Sequence, residues 1–200
     1  MKLRSLVVVV GMALTPVLAP VLAHAQTGLY INPVAIRVTN SVADHGTYAF
    51  LGQNSTEAMF WGVDFGAYYD FKTPYPFKAG LDLRESILHG NSAKLDSFLV
   101  GIRFSGKPFA NKAWKPYIEP VVGTGTTSAP YTGLHINKVE YGALAGLDYE
   151  THHHIDFRVI EVGYTGLITA SSETIGATSP TPIPTSDLLN ISAGIVLRFP

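Results

Sequence analysis

Three consecutive histidines, His152, His153 and His154, form the motif with the clearest metal-binding chemistry in the sequence. Neutral imidazole is a common ligand of transition metals. The alternation of the flanking residues predicts a hairpin turn of two or three residues here, where adjacent side chains diverge. The sequence therefore favours a solvated turn over a metal site, and we predict no metal and no cofactor.

Two further pairs of residues could take part in nucleophilic catalysis. His89 lies close to Ser92, and Asp44 precedes His45. A serine nucleophile needs a histidine base within hydrogen-bond reach, and that base is usually oriented by a third group. Neither pair comes with a third group that the sequence places nearby, so we predict no catalytic residue and no enzymatic activity.

Predicted β-strands contain alternating apolar and polar positions, and we call the two sets the apolar and the polar parity. Four arginines fall on the polar parity: Arg84, Arg103, Arg158 and Arg198. If this parity lines a narrow tube, the arginines either pair with carboxylates into a network that fills the tube or gate a small pore. If that tube is a barrel of the eight strands predicted below, its interior is just wide enough for side chains to fill, which favours the network. The carboxylates of the same parity are Asp64, Asp70, Asp82, Glu119, Glu140, Asp148 and Asp156.

The elements that must position these residues are indicated by strict alternation, which is clearest from Met59 to Phe71. Every odd position of this run is apolar, whereas the even positions include Asp64, Asp70 and two glycines. A strand places alternate residues on opposite faces, so one face of this run is a continuous apolar stripe. The run is therefore predicted to be a β-strand.

The same pattern predicts eight strands, and most are about 10–14 residues long, as a membrane barrel requires. The other strands lie near residues 29–39, 77–86, 97–104, 117–123, 138–150, 154–164 and 189–199. Longer connections are predicted at 40–56, 89–95, 127–138 and 166–187, and shorter ones at 72–76, 105–113 and 151–153. We therefore predict an all-β fold, a closed up-and-down antiparallel eight-stranded transmembrane β-barrel.

The seventh strand breaks the alternation, because Glu161 falls on its apolar parity. A β-bulge near Ile160 would return Glu161 to the polar face. The same bulge would turn Val162 and Tyr164 to the apolar face.

The first strand has the weakest pattern. Val34, Ile36 and Val38 form its apolar parity, and Arg37 and Thr39 form the opposite one. By analogy with the other strands, we expect the three aliphatic residues on the apolar face of the sheet and Arg37 on the polar face.

The N-terminal residues have the pattern of a secretory signal. Lys2 and Arg4 precede an apolar run at residues 6–14, and Ala23-His24-Ala25 is a small-x-small cleavage site. We predict that residues 1–25 are a signal peptide and that 26–200 form one barrel domain in the exported protein. An uncleaved membrane anchor is the alternative.

Composition limits the class of protein. Without Lys2 and Arg4, 12 of the 14 basic side chains remain against 15 acidic ones, a net charge of −3, which gives no basic field for nucleic acid. The chain has no cysteine, and 14% of its residues are charged, against about a quarter in a soluble domain. After residue 25 no apolar run approaches the roughly 20 residues of a membrane helix.

The apolar face is predicted to meet lipid, although a soluble lipocalin-like barrel would bury that face instead. Aromatic residues of the apolar parity gather at the strand ends, as expected at membrane interfaces. The polar parity mixes both signs of charge with glycines, so its charges could pair across a narrow lumen. The aromatic residues are Tyr69, Phe71, Phe77, Phe104, Trp114, Tyr149 and Phe199 at one end, and Trp61, Tyr141 and Tyr164 toward the other.

Two segments carry a resemblance to a known family. The strand Gly194–Phe199, followed by Pro200, resembles the terminal strand of outer-membrane barrels, whose near-terminal aromatic is read by the barrel assembly machinery. The run Tyr141–Tyr149 with the turn Thr151–Ile155 is similar to the penultimate hairpin of small barrels related to the outer-membrane protein A transmembrane domain. The resemblance implies an eight-stranded barrel with little or no open channel.

These observations predict a monomeric, non-enzymatic scaffold in the outer membrane of a Gram-negative cell, reached through the periplasm. Its expected partners are outer-membrane lipid, lipopolysaccharide and the assembly machinery, with no nucleic acid. A specific role is expected in loops 40–56 and 166–187, because loops carry function on rigid scaffolds. The alternatives are a narrow, porin-like pore and a soluble periplasmic lipocalin-like binding barrel.

Overall fold

A computed structural model describes residues 26–43, 49–71, 77–90, 92–106, 113–128, 135–168 and 185–199. The predicted signal segment 1–25, the pair Asp44–His45 and Pro200 lie outside these ranges. The described residues form eight strands: β1 Gln26–Asn40, β2 Glu57–Phe71, β3 Phe77–Gly90, β4 Ala93–Gly106, β5 Trp114–Ser128, β6 His135–His152, β7 Ile155–Ile168 and β8 Ser186–Phe199.

Each strand pairs antiparallel with its neighbours in chain order, and β1 closes the sheet by pairing with β8. The β1–β8 ladder runs from Thr27 opposite Phe199 to Asn40 opposite Ser186. Closure leaves no sheet edge with unpaired backbone groups, which is the condition for a sheet to lie in lipid. The predicted fold, a closed up-and-down antiparallel barrel of eight strands, is confirmed.

The strands at one end of the barrel are longer than predicted. β3 continues to Gly90 and β4 begins at Ala93, so the predicted link 89–95 shrinks to a tight hairpin in which Ser92 has φ 65°. The links after β1, β3, β5 and β7 leave the barrel at this end, and two of them, 41–56 and 169–185, are the longest separations between the described strands. We name it the long-loop end and the opposite one the short-link end.

The assignment of faces is confirmed for most of the barrel. Trp61, Phe65 and Leu197 face outward and are 63%, 40% and 46% exposed, whereas Asp82 and Arg103 face inward and are 0% and 2% exposed. This distribution is the reverse of a soluble barrel, because the apolar residues lie outside and the ionic ones inside.

The bulge expected in the seventh strand is also confirmed. The β7–β8 register passes from Arg158 opposite Gly194 to Glu161 opposite Ser192, so one extra residue is inserted in β7. Glu161 is buried in the lumen as a result, while both Val159 and Ile160 face outward.

The expectation for the first strand is wrong. Val34, Ile36 and Val38 face the lumen and are buried, whereas Arg37 is on the outer surface, where it forms an ion pair with Glu57 of β2. The cause is that an apolar cluster fills the lumen at the long-loop end, so aliphatic residues are required inside. The outward apolar residues of β1 are instead Leu29, Ile31 and Pro33.

Aromatic side chains lie on the outer surface near both ends of the strands, as expected. At the short-link end Trp114 and Tyr149 are cross-strand neighbours with ring centroids 4.8 Å apart. Trp61, Tyr141 and Tyr164 face outward toward the long-loop end. The described residues include no helix that is long and apolar enough to cross a membrane.

We predict that replacing Leu81 with Arg, or Val100 with Arg, lowers the free energy of unfolding by about 2–4 kcal/mol. Both side chains face outward and lie between the two levels of aromatic residues. An arginine there would place its charge in the apolar band. Urea unfolding from phospholipid vesicles, followed by tryptophan fluorescence, measures the change.

The matched control is Asn137→Arg, which also faces outward but lies beyond Tyr141 toward the long-loop end of β6. This variant should change the free energy of unfolding by less than about 1 kcal/mol, because the charge stays near the interface. If Leu81→Arg is as harmless in vesicles as Asn137→Arg, the outward face is not a lipid face.

Candidate functional site

Inward side chains between the middle of the barrel and its short-link end form an ionic core, which we define as Arg84, Arg103, Asp148, Arg158 and Glu161. They come from strands β3, β4, β6 and β7, and each is at most 2% exposed. Strand alternation points all five into the lumen, and the bulge in β7 is what brings Glu161 to this face. The predicted arginine–carboxylate network is therefore present in part: Asp64, Asp148 and Asp156 are the predicted carboxylates that form arginine ion pairs in the described structure.

Glu161 is the central acceptor of the ionic core. Arg84 donates two hydrogen bonds to it, from Nη1 to Oε1 at 2.5 Å and from Nη2 to Oε2 at 2.8 Å. Tyr117 donates its hydroxyl to Oε2 at 2.5 Å, and Arg158 Nη1 donates to the same oxygen at 3.2 Å. Ser192 donates to Oε1 at 3.1 Å. Five hydrogen bonds from four strands compensate this buried carboxylate for the loss of water.

Asp148 joins the other two arginines of the ionic core. Its Oδ2 accepts a hydrogen bond from Arg103 Nη2 at 2.6 Å, and its Oδ1 accepts one from Arg158 Nε at 3.1 Å. Arg158 therefore bridges Asp148 and Glu161, so the ion pairs are one connected network across the lumen. A connected network fixes side-chain positions more firmly than separate pairs do.

Three tyrosines pack against these guanidinium groups. The Arg103 guanidinium carbon lies 3.6 Å from the centroid of the Tyr117 ring and 4.4 Å from that of Tyr68. Arg158 lies 4.5 Å from the ring centroid of Tyr30. Aromatic faces attract cations most strongly in a dry environment, so the rings add to the fixation of the arginines.

The ionic network continues to the short-link end, at the predicted histidine turn. Arg198 pairs with Asp156 at 2.9 Å and Glu150 at 3.1 Å, and Lys115 pairs with the same two carboxylates at 2.9 Å each. Arg198 Nη2 also donates to the backbone carbonyl of His152 at 3.0 Å. These contacts connect the β6–β7 turn to the last strand.

An apolar cluster occupies much of the long-loop half of the lumen, beside the buried Lys138 and Glu140. Phe50 and Leu51, from the link between β1 and β2, are buried, and the Phe50 ring stacks on Phe60 with centroids 5.5 Å apart. Lys138 Nζ lies 5.3 Å from the centroid of the Phe50 ring. We name this cluster the apolar plug; its members are Val34, Ile36, Val38, Phe50, Leu51, Ala58, Phe60, Leu88, Ala93, Leu95, Leu167 and Leu188.

The apolar plug is the feature that the sequence analysis missed. Phe60, Leu88, Leu95, Leu167 and Leu188 lie on the polar parity of their strands, all toward the long-loop end. This recurrence at one level of the barrel was the signal that could have revealed an apolar inner layer. In β1 the corresponding apolar residues, Val34, Ile36 and Val38, are predicted on the outer face but lie in the lumen.

The three histidines do not converge on one point. His152 ends β6, and His153 and His154 form the turn; the ring centroids of His152 and His153 are 5.9 Å apart. His154 Nδ1 lies 3.2 Å from the backbone carbonyl oxygen of Arg198. Among the described residues, no group of three or more potential metal ligands is found. The arrangement favours the solvated turn.

Of the two candidate catalytic pairs, only His89 and Ser92 lie in the described part of the chain, and they are not assembled there. His89 faces outward near the end of β3, opposite Lys94 of β4, and no described hydrogen bond joins it to Ser92. Asp44 and His45 lie outside the described residues.

We predict that Glu161→Gln lowers the free energy of unfolding by about 3–5 kcal/mol, because removing one charge of a buried network leaves its partners uncompensated. Arg84 and Arg158 would each lose a charged acceptor. Urea unfolding of the barrel from vesicles measures the effect.

Glu57→Gln is the control for this variant. It removes the same charge from the Arg37–Glu57 pair, whose side chains are more than half exposed. An exposed pair contributes at most about 1 kcal/mol. Equal effects of the two substitutions would show that the buried network does not stabilise the barrel.

Comparison with known proteins provides a fold but no sequence relative. No protein-family model matches the chain, and no curated protein sequence matches it. Among solved structures, it is similar to Neisserial surface protein A at 13% identity and TM-score 0.53, covering 86% of this chain and 97% of that one. It is also similar to Ail, the attachment invasion locus protein of Yersinia pestis, at 11% identity and TM-score 0.51, covering 88% and 99%. The chain therefore has the fold of the small eight-stranded outer-membrane barrels.

Proposed function

We propose that the protein is a closed, non-enzymatic scaffold of the outer membrane that carries surface loops. The observation that supports this most directly is the filling of the lumen by side chains of almost no exposure. Among them, Arg158, Glu161, Phe60 and Leu188 are at most 1% exposed. A barrel whose interior is packed in this way has its remaining accessible surface on the outer wall and at the loops.

Two different layers occupy the lumen in series, and this supports closure. The ionic core lies between the middle of the barrel and the short-link end, and the apolar plug lies between it and the long-loop end. An ion on its way through would have to displace paired guanidinium groups and also enter an apolar layer, and both steps are costly.

A membrane location is supported by the outer wall. Outward apolar residues are flanked by outward aromatics at both ends, as expected of a lipid-facing band. We infer that residues 1–25 direct export and are removed, that the barrel inserts with the assembly machinery as a monomer, and that lipid and lipopolysaccharide surround it. The long-loop end then faces the exterior, because outer-membrane barrels have long extracellular loops and short periplasmic turns.

The specific role is expected in the links 41–56 and 169–185, since the wall and the lumen are occupied by lipid contacts and packing. A narrow pore is the second candidate, because the ion pairs of Arg84 and Arg158 with Glu161 lie across the lumen and could exchange partners.

We predict a heat-modifiable band for detergent-extracted protein. Unboiled protein should migrate differently from boiled protein, because the closed β1–β8 ladder keeps the barrel compact in detergent. Electrophoresis of the two samples side by side measures this. Extraction into buffer without detergent, with no heat-modifiable band, would instead favour the soluble lipocalin-like barrel.

We predict no unitary conductance in planar bilayers for the native protein. The variant Phe50→Ala/Phe60→Ala, which thins the apolar plug, should also be silent because the ionic core still crosses the lumen. The same preparation must give the heat-modifiable band, so that insertion is established. Regular current steps from the native protein would favour the pore.

A further inference from the structure

The barrel wall has a local defect at Ala193, where both hydrogen-bonded ladders of β8 are interrupted at one level. On the β1 side the register passes from Ile31 opposite Ile195 to Val34 opposite Ser192, without pairs for the two residues between. One of these is Pro33, which has no backbone N–H to donate. On the β7 side, the extra residue of the bulge lies opposite Ala193.

This defect forms a groove of about 390 Å³ on the wall. The volume lies within the roughly 300–1,000 Å³ that is usual for small-molecule sites. Most of the lining is aliphatic or aromatic. The lining residues are Pro33, Val34, Ala35, Trp61, Gly62, Val159, Ile160, Ile191, Ser192 and Ala193.

The side chains around the groove explain why it is a depression. Ala193 is small and faces outward, and Ala35, also small, lines the groove while being only 9% exposed, so the floor is low. The larger outward side chains Trp61, Ile160 and Ile191 stand around this floor. Backbone geometry fixes the depression, since it comes from a proline and a bulge rather than from side-chain rotamers alone.

The groove has a definite position relative to the membrane. Trp61, which belongs to the outward aromatics of the long-loop end, lies directly opposite Ala35. From there the groove continues toward Val159 and Ile160, deeper in the apolar band. It therefore runs from the level of the long-loop aromatics to about the middle of the band, and its outer end lies in the outer leaflet in the proposed orientation.

A charged pair marks the outer end of the groove. Arg37 follows Ala35 by two residues on the same face of β1, and its side chain is 54% exposed. One of its terminal nitrogens contacts Glu57, and the guanidinium has further donors. A guanidinium at this level suits a phosphate group, which it can bind through several N–H donors.

We propose that this groove holds one acyl chain of an outer-leaflet lipid, with the anionic phosphate of its headgroup beside Arg37. The proposal rests on the proposed membrane location. An apolar, permanently formed groove in the lipid band excludes sugars and peptides, whose polar groups would lose hydrogen bonds there. A flexible acyl chain can follow the depression, whereas a rigid protein surface would span it without filling it.

The experiment uses the full barrel in mild detergent and native mass spectrometry, after reconstitution into vesicles of equal parts phosphatidylglycerol and phosphatidylethanolamine. The native protein should retain one lipid, with phosphatidylglycerol preferred. Ala35→Leu/Ala193→Leu fills the groove and should lose the retained lipid. The control Ala143→Leu adds the same group to the outer face of β6, away from the groove, and should retain it.

A second measurement locates the bound acyl chain. In a Trp114→Phe background, vesicles with brominated acyl chains should quench Trp61, and the groove-filling variant should reduce this quenching relative to Ala143→Leu. Arg37→Gln should reduce the preference for phosphatidylglycerol, and an unchanged preference would overturn the phosphate contact.

The heat-modifiable band separates the two proposals. If it is absent, the membrane barrel itself fails. If it is present but no lipid is retained, or if the groove variant and Ala143→Leu lose lipid equally, only the acyl-chain site is overturned.

Discussion

Closure of the sheet between β1 and β8 is the constraint on which the rest of the molecule depends. In lipid, a backbone N–H or C=O without a partner costs several kcal/mol, and only a helix or a closed barrel avoids this cost. Eight strands that close on themselves leave a narrow lumen, so each inward residue faces others at short range. The composition of the inner face is therefore decided by what can pack and pair in a tube of this width.

The two inner layers are different solutions to that requirement. In the ionic core, long arginine side chains reach across the lumen, and glycines provide the space for the tyrosines that hold them. A side chain at Gly146 would collide with the ring of Tyr117, and one at Gly28 would collide with the ring of Tyr68. In the apolar plug, aliphatic and aromatic residues fill the volume without needing hydrogen-bond partners. A charge in the ionic core has its counter-charges fixed around it, whereas the plug keeps water from the long-loop side away from those pairs.

Most of the fold could be predicted from local alternation, because a strand in this barrel has one lipid face and one lumen face. The bulge in β7 was predictable for the same reason, since only a shift of parity places Glu161 inside. The orientation of the first strand could not be predicted in this way, because Val34, Ile36 and Val38 fit equally well on an outer lipid face or in an inner apolar plug. The choice depends on Phe60, Leu88 and Leu188, which are distant in sequence and lie at the same level only once the register is known. Pairing between arginines and carboxylates could be predicted, but the partner of each arginine could not, because the partners depend on the register between strands.

A barrel with a packed interior leaves three surfaces for function: the loops, the turns and the outer wall. The backbone hydrogen bonding of a closed sheet does not have to be uniform along its outer wall. Here Pro33 and the bulge that delivers Glu161 to the lumen interrupt the ladders of β8 at one level. The same insertion thus completes the ionic core on the inside and shapes the groove on the outside. Inner packing and the lipid surface are therefore coupled through one extra residue in β7.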